Sequence, residues 1–363
     1  MDKRVKIAVV GIGAVAKKHI AAILELSSYF QLVGLVDSQQ DILERHAKAL
    51  EIMGFNDLEE MLAETDAKFI VLSTPSGLHA QQAITCAGYS RHVIVEKPMA
   101  LFLQDGLAMQ ASAQKAKIQL RVVHQHRVNP ALQLLKQAID MQRFGKIFQI
   151  NCNIFWTRPQ TYYDSASWRG SRKLDGGALI NQASHAIDLL HWLFGPLQMI
   201  QGMWARQARQ IETEDSCVLN LRWQQGSLGS LNLSILTYNK NFESSLTVLG
   251  EKGTVKLMGL ATNEIVHWEF ADQKVGENDI VTETNKNAAH FLANTHYHYY
   301  TNLIRELENG TTTLLPDGTE GLKTLEILIA AQLAAEQQTT VNLPLAKDNS
   351  VDKLDCKKIE NVR

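Results

Sequence analysis

The chain has 363 residues, 45% of them hydrophobic and 20% charged, which describes a globular protein with room for two domains. A formal net charge of -2 excludes a global basic field, so neither nucleic acid nor an anionic membrane is an expected partner, and an anionic ligand must be met by local cations. The four cysteines, Cys86, Cys152, Cys217 and Cys356, have no zinc-site or redox spacing and read as thiols in a reducing compartment.

The N-terminal residues run from charged side chains straight into the strand-like "KIAVVG" without a signal-peptide pattern, and a cytoplasmic location is the expectation. The turn that follows carries Gly11, Ile12, Gly13, Ala14, Val15 and Ala16. Gly11 suits a tight turn, Gly13 lets a pyrophosphate approach the N-terminus of a helix, and Ala16 is small enough for close helix packing. The next strand, "QLVGLVD", ends on Asp37, near the distance at which a carboxylate takes ribose hydroxyls. That carboxylate disfavours a 2′-phosphate, so NAD is expected over NADP; a glycine turn without nucleotide is the bland alternative.

The alternation continues through "QQDILERHAKALE", "KFIVLSTPS", "HAQQAITCAG", "HVIVEKP", "QDGLAMQASAQKAK" and "IQLRVVHQH". Near-continuous apolar strands separated by amphipathic helices mean an α/β doubly wound parallel sheet, expected over residues 1–123. Ligands of such sheets bind outside the carboxyl ends of the strands. Two clusters fall on that edge. In "STPSGLH", Ser73, Thr74, Pro75 and His79 would border the cofactor, with a solvent-facing position equally open for His79. In "EKP", Lys97 is partly desolvated at a strand end and could exchange a proton with a substrate hydroxyl, while a surface lysine paired to Glu96 is the alternative. Pro98 cannot extend the ladder, and its peptide bond is a candidate for the cis form.

After "NPALQLLKQAIDMQ" the pattern changes to long runs of period two, "IFQINCNIFW", "SCVLNLRWQQGSLGSLNLSILTY", "SSLTVLGEKGTVKLMG" and "NEIVHWEFA". These predict a second α/β domain, residues 124–345, built on a large open and mostly antiparallel sheet. The helix predicted over "GALINQASHAIDLLHWLFG" sets Asn181, His185 and Asp188 at i, i+4 and i+7 as one polar stripe. His185, neutral or charged near physiological pH, is a candidate general acid/base, with Asn181 one turn earlier to orient a substrate; a stripe satisfied across a domain interface is the alternative. The preceding "FWTRPQTYYDSASWRGSRKLDGG" is dense in cations and aromatics. Arg158, Arg169, Arg172 and Lys173, with Tyr162, Tyr163 and Trp168, suit a phosphate- or carboxylate-bearing ligand, or else cover the sheet. "HYHYY", with His296 and His298, lacks a carboxylate or Cys at ligand spacing and reads as helix packing, so no metal is expected. A final helix near 320–337 and the strand "TVNLPL" precede a charged tail, 346–363, expected to be loosely ordered.

In order and spacing, the glycine turn, "STPSGLH", "EKP" and "GGALINQASHAIDLLHWLFGP" resemble the glucose-fructose oxidoreductase/inositol dehydrogenase family, to about Leu345. The resemblance implies a Rossmann domain followed by an open-sheet domain often used for oligomer contacts, hence a homo-oligomer, dimer or tetramer. It implies that Lys97 and His185 face the substrate. Within the family, "NIFWTRPQTYYDSASWRG" and "DGGALINQASHAIDLLHW" look most like the UDP-N-acetyl-glucosaminuronate 3-dehydrogenases of bacterial surface-polysaccharide (O-antigen, lipopolysaccharide) synthesis, which use NAD and make a 3-keto sugar for a following aminotransferase. A nucleotide-sugar substrate is therefore expected, contacted by Lys97, Arg158, Tyr163, Trp168, Arg169, Asn181 and His185, with Glu96 and Lys97 also beside the cofactor. A dehydrogenase of a free sugar or inositol, or a non-catalytic NAD-binding sensor, remains open. Many relatives place an aspartate four residues before the histidine where this chain has Asn181, which weakens a carboxylate-backed histidine.

Overall fold

The computed structural model describes residues 3–310 and 314–346; the expected loose tail lies, from residue 347 on, outside the described residues. The first sheet has six strands in the order β3-β2-β1-β4-β5-β6, and every pairing is parallel. Its elements are β1 (Val5–Val10), α1 (Ala14–Glu25), β2 (Phe30–Val36), α2 (Gln40–Leu50), β3 (Gly54–Phe55), α3 (Leu58–Glu64), β4 (Phe69–Leu72), α4 (His79–Gly88), β5 (His92–Glu96), α5 (Leu103–Ala116) and β6 (Leu120–Val123). The central strand β4 and the edge strand β6 are both buried along their whole length, which is what helices on both faces require of a parallel sheet. The reversal of strand order between β1 and β4 opens a crevice at their carboxyl ends, where the glycine turn and the "STPSGLH" segment meet.

The chain then turns through 125–128 into α6 (Pro130–Asp140), capped by the Asn129 side chain with proline at the first helical position. The second sheet has eight strands, β7 (Ile147–Phe155), β8 (Leu197–Ala205), β9 (Ser216–Trp223), β10 (Leu228–Ser234), β11 (Glu243–Gly250), β12 (Gly253–Met258), β13 (Glu264–Phe270) and β14 (Val341–Asn342). Their order is β13-β12-β11-β7-β10-β9-β8-β14, antiparallel except for the β7–β10 pair. Strand β9 shows the period-two logic plainly: Cys217, Leu219, Leu221 and Trp223 are buried while Val218, Asn220 and Arg222 face out.

Between β7 and β8 lie the short helices α7 (Gln160–Asp164) and α8 (Ala178–Gln182), then α9 (Ser184–Phe194). The single helix expected from "GALINQASHAIDLLHWLFG" is thus two, broken at Ala183. Helices α10 (Glu277–Lys286), α11 (Ala288–Ala293), α12 (Thr295–Asn309) and α13 (Gly318–Gln337) follow β13. Helix α12 belongs to the second stretch by sequence, yet its Tyr299, Tyr300 and Leu303 enter the core formed by Ile7, Val9 and Ile20 of the first. A buried ion pair from Arg121 on β6 to Glu306 fixes it there, at 2.5 Å.

Candidate active site

The glycine turn comes first. Gly11 has φ +81°, a conformation that favours glycine, and a Cβ there would lie 2.8 Å from Thr74 Cγ2 and 2.9 Å from Thr74 N. Ser73 locks the same junction by donating its hydroxyl to the carbonyls of Val10 and Gly11, at 3.0 and 2.8 Å. At Gly13, by contrast, a Cβ would meet nothing within 4 Å, and this N-cap offers α1 no side-chain acceptor. Open space before an uncapped helix N-terminus, at Ile12 to Val15, is what a pyrophosphate needs. Asp37 ends β2 with its carboxylate accepting from Ile12 N–H at 2.7 Å and Gln39 N–H at 2.9 Å. One lone pair on each oxygen remains for a ribose diol. These residues fit NAD.

His79 is buried, which settles its open position against solvent. Its two ring nitrogens sit 3.0 Å from Pro98 O and 2.9 Å from Thr74 O, so it ties the two clusters together through backbone and keeps no nitrogen for a ligand. Glu96 also differs from expectation. Its carboxylate points inward, 2.9 Å from His19 Nε2 and 3.3 Å from His296 Nε2, and accepts from the Lys97 N–H; it is not paired with the Lys97 ammonium. Burial works against that charge, but the two histidines hold the Glu96 carboxyl well below its usual range. His296, from "HYHYY", thus does meet a carboxylate, one supplied from β5. Hydrogen-bond distances account for the His19–Glu96–His296 group, and His19 passes its other nitrogen to the Tyr300 hydroxyl at 2.9 Å.

The peptide bond joining Lys97 to Pro98 is cis. Its Nζ donates to the backbone oxygen of Asn181 at 2.9 Å and to Asn181 Oδ1 at 3.1 Å. Two of the three ammonium directions are therefore fixed, and the third is free to carry a proton or a lone pair. Burial pushes the Lys97 amine below its ordinary basicity; Glu96 and Asp175 oppose this and Arg158 adds to it.

His185 stacks on His126 with ring centroids 4.2 Å apart and meets His124 edge-on at 5.7 Å. Burial, then His126 and Lys97, push its pKa well below the ordinary value. That environment favours the neutral imidazole over the charged one. Asp188 does not extend a stripe towards it: its buried carboxylate is held by Arg127 at 2.9 and 2.6 Å and by Thr324 at 3.1 Å. An apolar cavity lies behind His185, lined in part by Cys152, Ile154, Trp156, Leu189 and Leu246.

The cation-rich segment divides. Arg158 is drawn to the site, its guanidinium over the rings of Trp156 and Tyr162 and bonded to Gln182 Oε1 at 3.2 Å. Arg169 lies between Tyr162 and Trp168, 4.2 and 4.6 Å from their centroids. It borders an open cleft with Arg206 and Arg209. Tyr163 is buried, with burial and Asp175 raising its phenol pKa. Arg172 is consumed by Glu336, and Lys173 is exposed. Sequence reasoning missed His124, His126 and Asp175. The first two were signalled by "HQH" just past the sixth strand, on the same edge as Lys97.

The family profiles match both parts of this arrangement: "Oxidoreductase family, NAD-binding Rossmann fold" over residues 5–124 and "Oxidoreductase family, C-terminal alpha/beta domain" over 136–343. The chain belongs to the Gfo/Idh/MocA oxidoreductase family. Its NAD-binding domain and its α/β architecture are those of that family. The WlbA dehydrogenase from Bordetella pertussis, solved with NADH and UDP-GlcNAcA, is 42% identical, covers 95% of this chain and 99% of its own, and superposes with a TM-score of 0.92. The WlbA dehydrogenase from Chromobacterium violaceum, solved with the same two ligands, is 45% identical over 95% of this chain and 98% of its own, with a TM-score of 0.89. An uncharacterized oxidoreductase of Synechocystis is 24% identical over 72% of this chain and 73% of its own.

Proposed function

We propose that this chain oxidises the C3 hydroxyl of UDP-N-acetylglucosaminuronic acid to the 3-keto sugar with NAD, within bacterial surface-polysaccharide precursor synthesis. The observation that carries the reading is the likeness, at 42% and 45% identity along 95% of the chain, to two dehydrogenases held with NADH and UDP-GlcNAcA. Gly11 to Val15, Asp37 and the Ser73–Pro75 turn hold the cofactor, which when bound accepts the hydride from C3. His79 and Glu96 serve that site indirectly, by fixing the strand ends through Pro98, His19 and His296. Neutral Lys97 takes the hydroxyl proton on the one direction that Asn181 leaves free. His185, neutral and set against His126, is a hydrogen-bonding partner of the sugar, and Arg158 and Arg169 with Tyr163 and Trp168 meet its anionic groups.

The test is spectroscopic. Addition of UDP-N-acetylglucosaminuronic acid to the purified protein with NAD should raise the absorbance of reduced nicotinamide. No rise with this sugar, together with turnover of a free sugar or inositol, would replace the substrate assignment.

The cytoplasm is the proposed location; among the described residues no helix is long and apolar enough to cross a membrane. A homo-oligomer through the open sheet is also proposed. On the outward face Met203 stands opposite Val218, and Val218 opposite Asn232, so an apolar edge adjoins a ladder of Asn and Ser side chains. Val218→Arg is expected to shift the sedimenting species towards monomer; an unchanged sedimentation coefficient would count against that face.

A further inference from the structure

We infer that Asp175 is a positioning residue for the reaction, acting on Lys97 through the Asn181 carboxamide. Asp175 ends the cation-rich loop just before Gly176 and Gly177 and is buried, 4% exposed. One carboxylate oxygen accepts from the Gly170 N–H at 2.7 Å, and the other accepts from Asn181 Nδ2. Asn181 in turn gives its Oδ1 to Lys97 Nζ at 3.1 Å. The chain of contacts therefore runs from carboxylate to carboxamide to amine.

This arrangement leaves the carboxamide one orientation. The two Nζ hydrogens that face Asn181 are donated to it, and an ionised aspartate accepts only, so Asn181 turns its oxygen to Lys97 and its nitrogen to Asp175. With that oxygen and the Asn181 backbone oxygen both fixed, the remaining direction on Nζ is fixed as well. An aspartate in place of Asn181 would set a full charge beside the amine; here the charge is one side chain removed. The carboxylate raises the basicity of Lys97 from that distance, while burial and Arg158 lower it. The groups facing Lys97 are Glu96 on its own strand end, Asp175 and Arg158, with His124, His126 and His185 across the cleft.

The inference rests on reading Lys97 as the proton acceptor. Asp175→Asn keeps the side-chain shape and can still accept from Gly170, but then presents an NH2 to Asn181. The Asn181 amide must flip and turn its own NH2 towards Lys97. Turnover is expected to fall roughly ten- to hundredfold with NADH affinity unchanged, and the acid limb of kcat/KM for oxidation should move to lower pH. Competitive acetylation of Lys97 by acetic anhydride, read by mass spectrometry against pH, should show the same downward move. That measurement needs no sugar, so an error in the substrate would leave it intact. Adding Asp175→Asn to Asn181→Ala should cost little more than Asn181→Ala alone. Unchanged Lys97 titration with normal turnover, or losses that multiply in the double variant, would overturn the inference. If Asp175→Asn does not fold, Asn181→Ala, which leaves the Gly170 contact in place, must itself move the Lys97 titration down; no movement would equally overturn it.

Discussion

Lys97→Met is expected to lower turnover roughly 10²- to 10⁴-fold, the range general-base catalysis contributes, with NAD still bound. Methionine keeps the length and the apolar stem and removes only the nitrogen. The argument is geometric first: two contacts to Asn181 occupy two directions of Nζ, and the third is where a hydroxyl proton can be received. The electrostatics then set the pH behaviour. Burial lowers the folded amine below the ordinary lysine value of 10.5, so the neutral fraction at neutral pH is larger than for a surface lysine. In the wild type, kcat/KM for oxidation should rise with pH as Lys97 loses its proton and level off above that pKa. In Lys97→Met that limb should vanish from whatever activity remains. Lys97→Arg should be as inactive, because a guanidinium stays protonated throughout this range. Steady-state rates from reduced-nicotinamide absorbance, set beside NAD affinity from tryptophan fluorescence, separate the two effects. Near-normal turnover in Lys97→Met would sink the assignment of Lys97.

How much of this was legible in the sequence depends on how local each feature is. The glycine turn, "STPSGLH" and "EKP" could be placed on one sheet edge because each follows a strand pattern directly, and the carboxyl edges of open parallel sheets collect ligands whatever the side chains do. The Asn181–His185–Asp188 stripe was local too, yet it assumed an unbroken helix. The break at Ala183 puts Asn181 on α8, where it meets Lys97, and leaves Asp188 on α9, facing Arg127. What stayed hidden are partners chosen across the chain. Glu96 looked like a neighbour of the Lys97 amine, since the two are adjacent in sequence. Its carboxylate instead binds His19 and His296, 77 and 200 positions away, and no periodicity announces such pairs. Asp175 sits in a loop without repeat pattern, so its approach to Asn181 could not be read from spacing. The same holds for α12, which crosses back to pack on the first sheet because its Tyr299 and Tyr300 need a fully buried place.

The other large effect concerns stability. Arg127→Met should destabilise the fold by about 3–5 kcal/mol, since it leaves the Asp188 carboxylate buried without its main partner. Asp188 is 0% exposed and joins three elements: the turn at 125–128 through Arg127, its own α9, and α13 through Thr324. Burial alone would raise its pKa, but His124 and Arg127 outweigh that and hold it below the ordinary aspartate value of 3.8. A carboxyl depressed in the folded state contributes stability above its unfolded pKa and loses it as pH falls through the folded one. Removing Arg127 leaves burial less opposed, so in the variant the carboxyl rises and takes up a proton more readily. The deficit against wild type should therefore be largest near pH 7 and narrow as pH falls towards 4. Denaturant unfolding at both values measures it. Arg127→Met with Asp188→Leu should recover part of the loss, because an apolar pair of similar volume removes the stranded charge. A deficit below about 1 kcal/mol at pH 7, or one independent of pH, would mean that water or another cation reaches Asp188 and that the pair does not bind the three elements together.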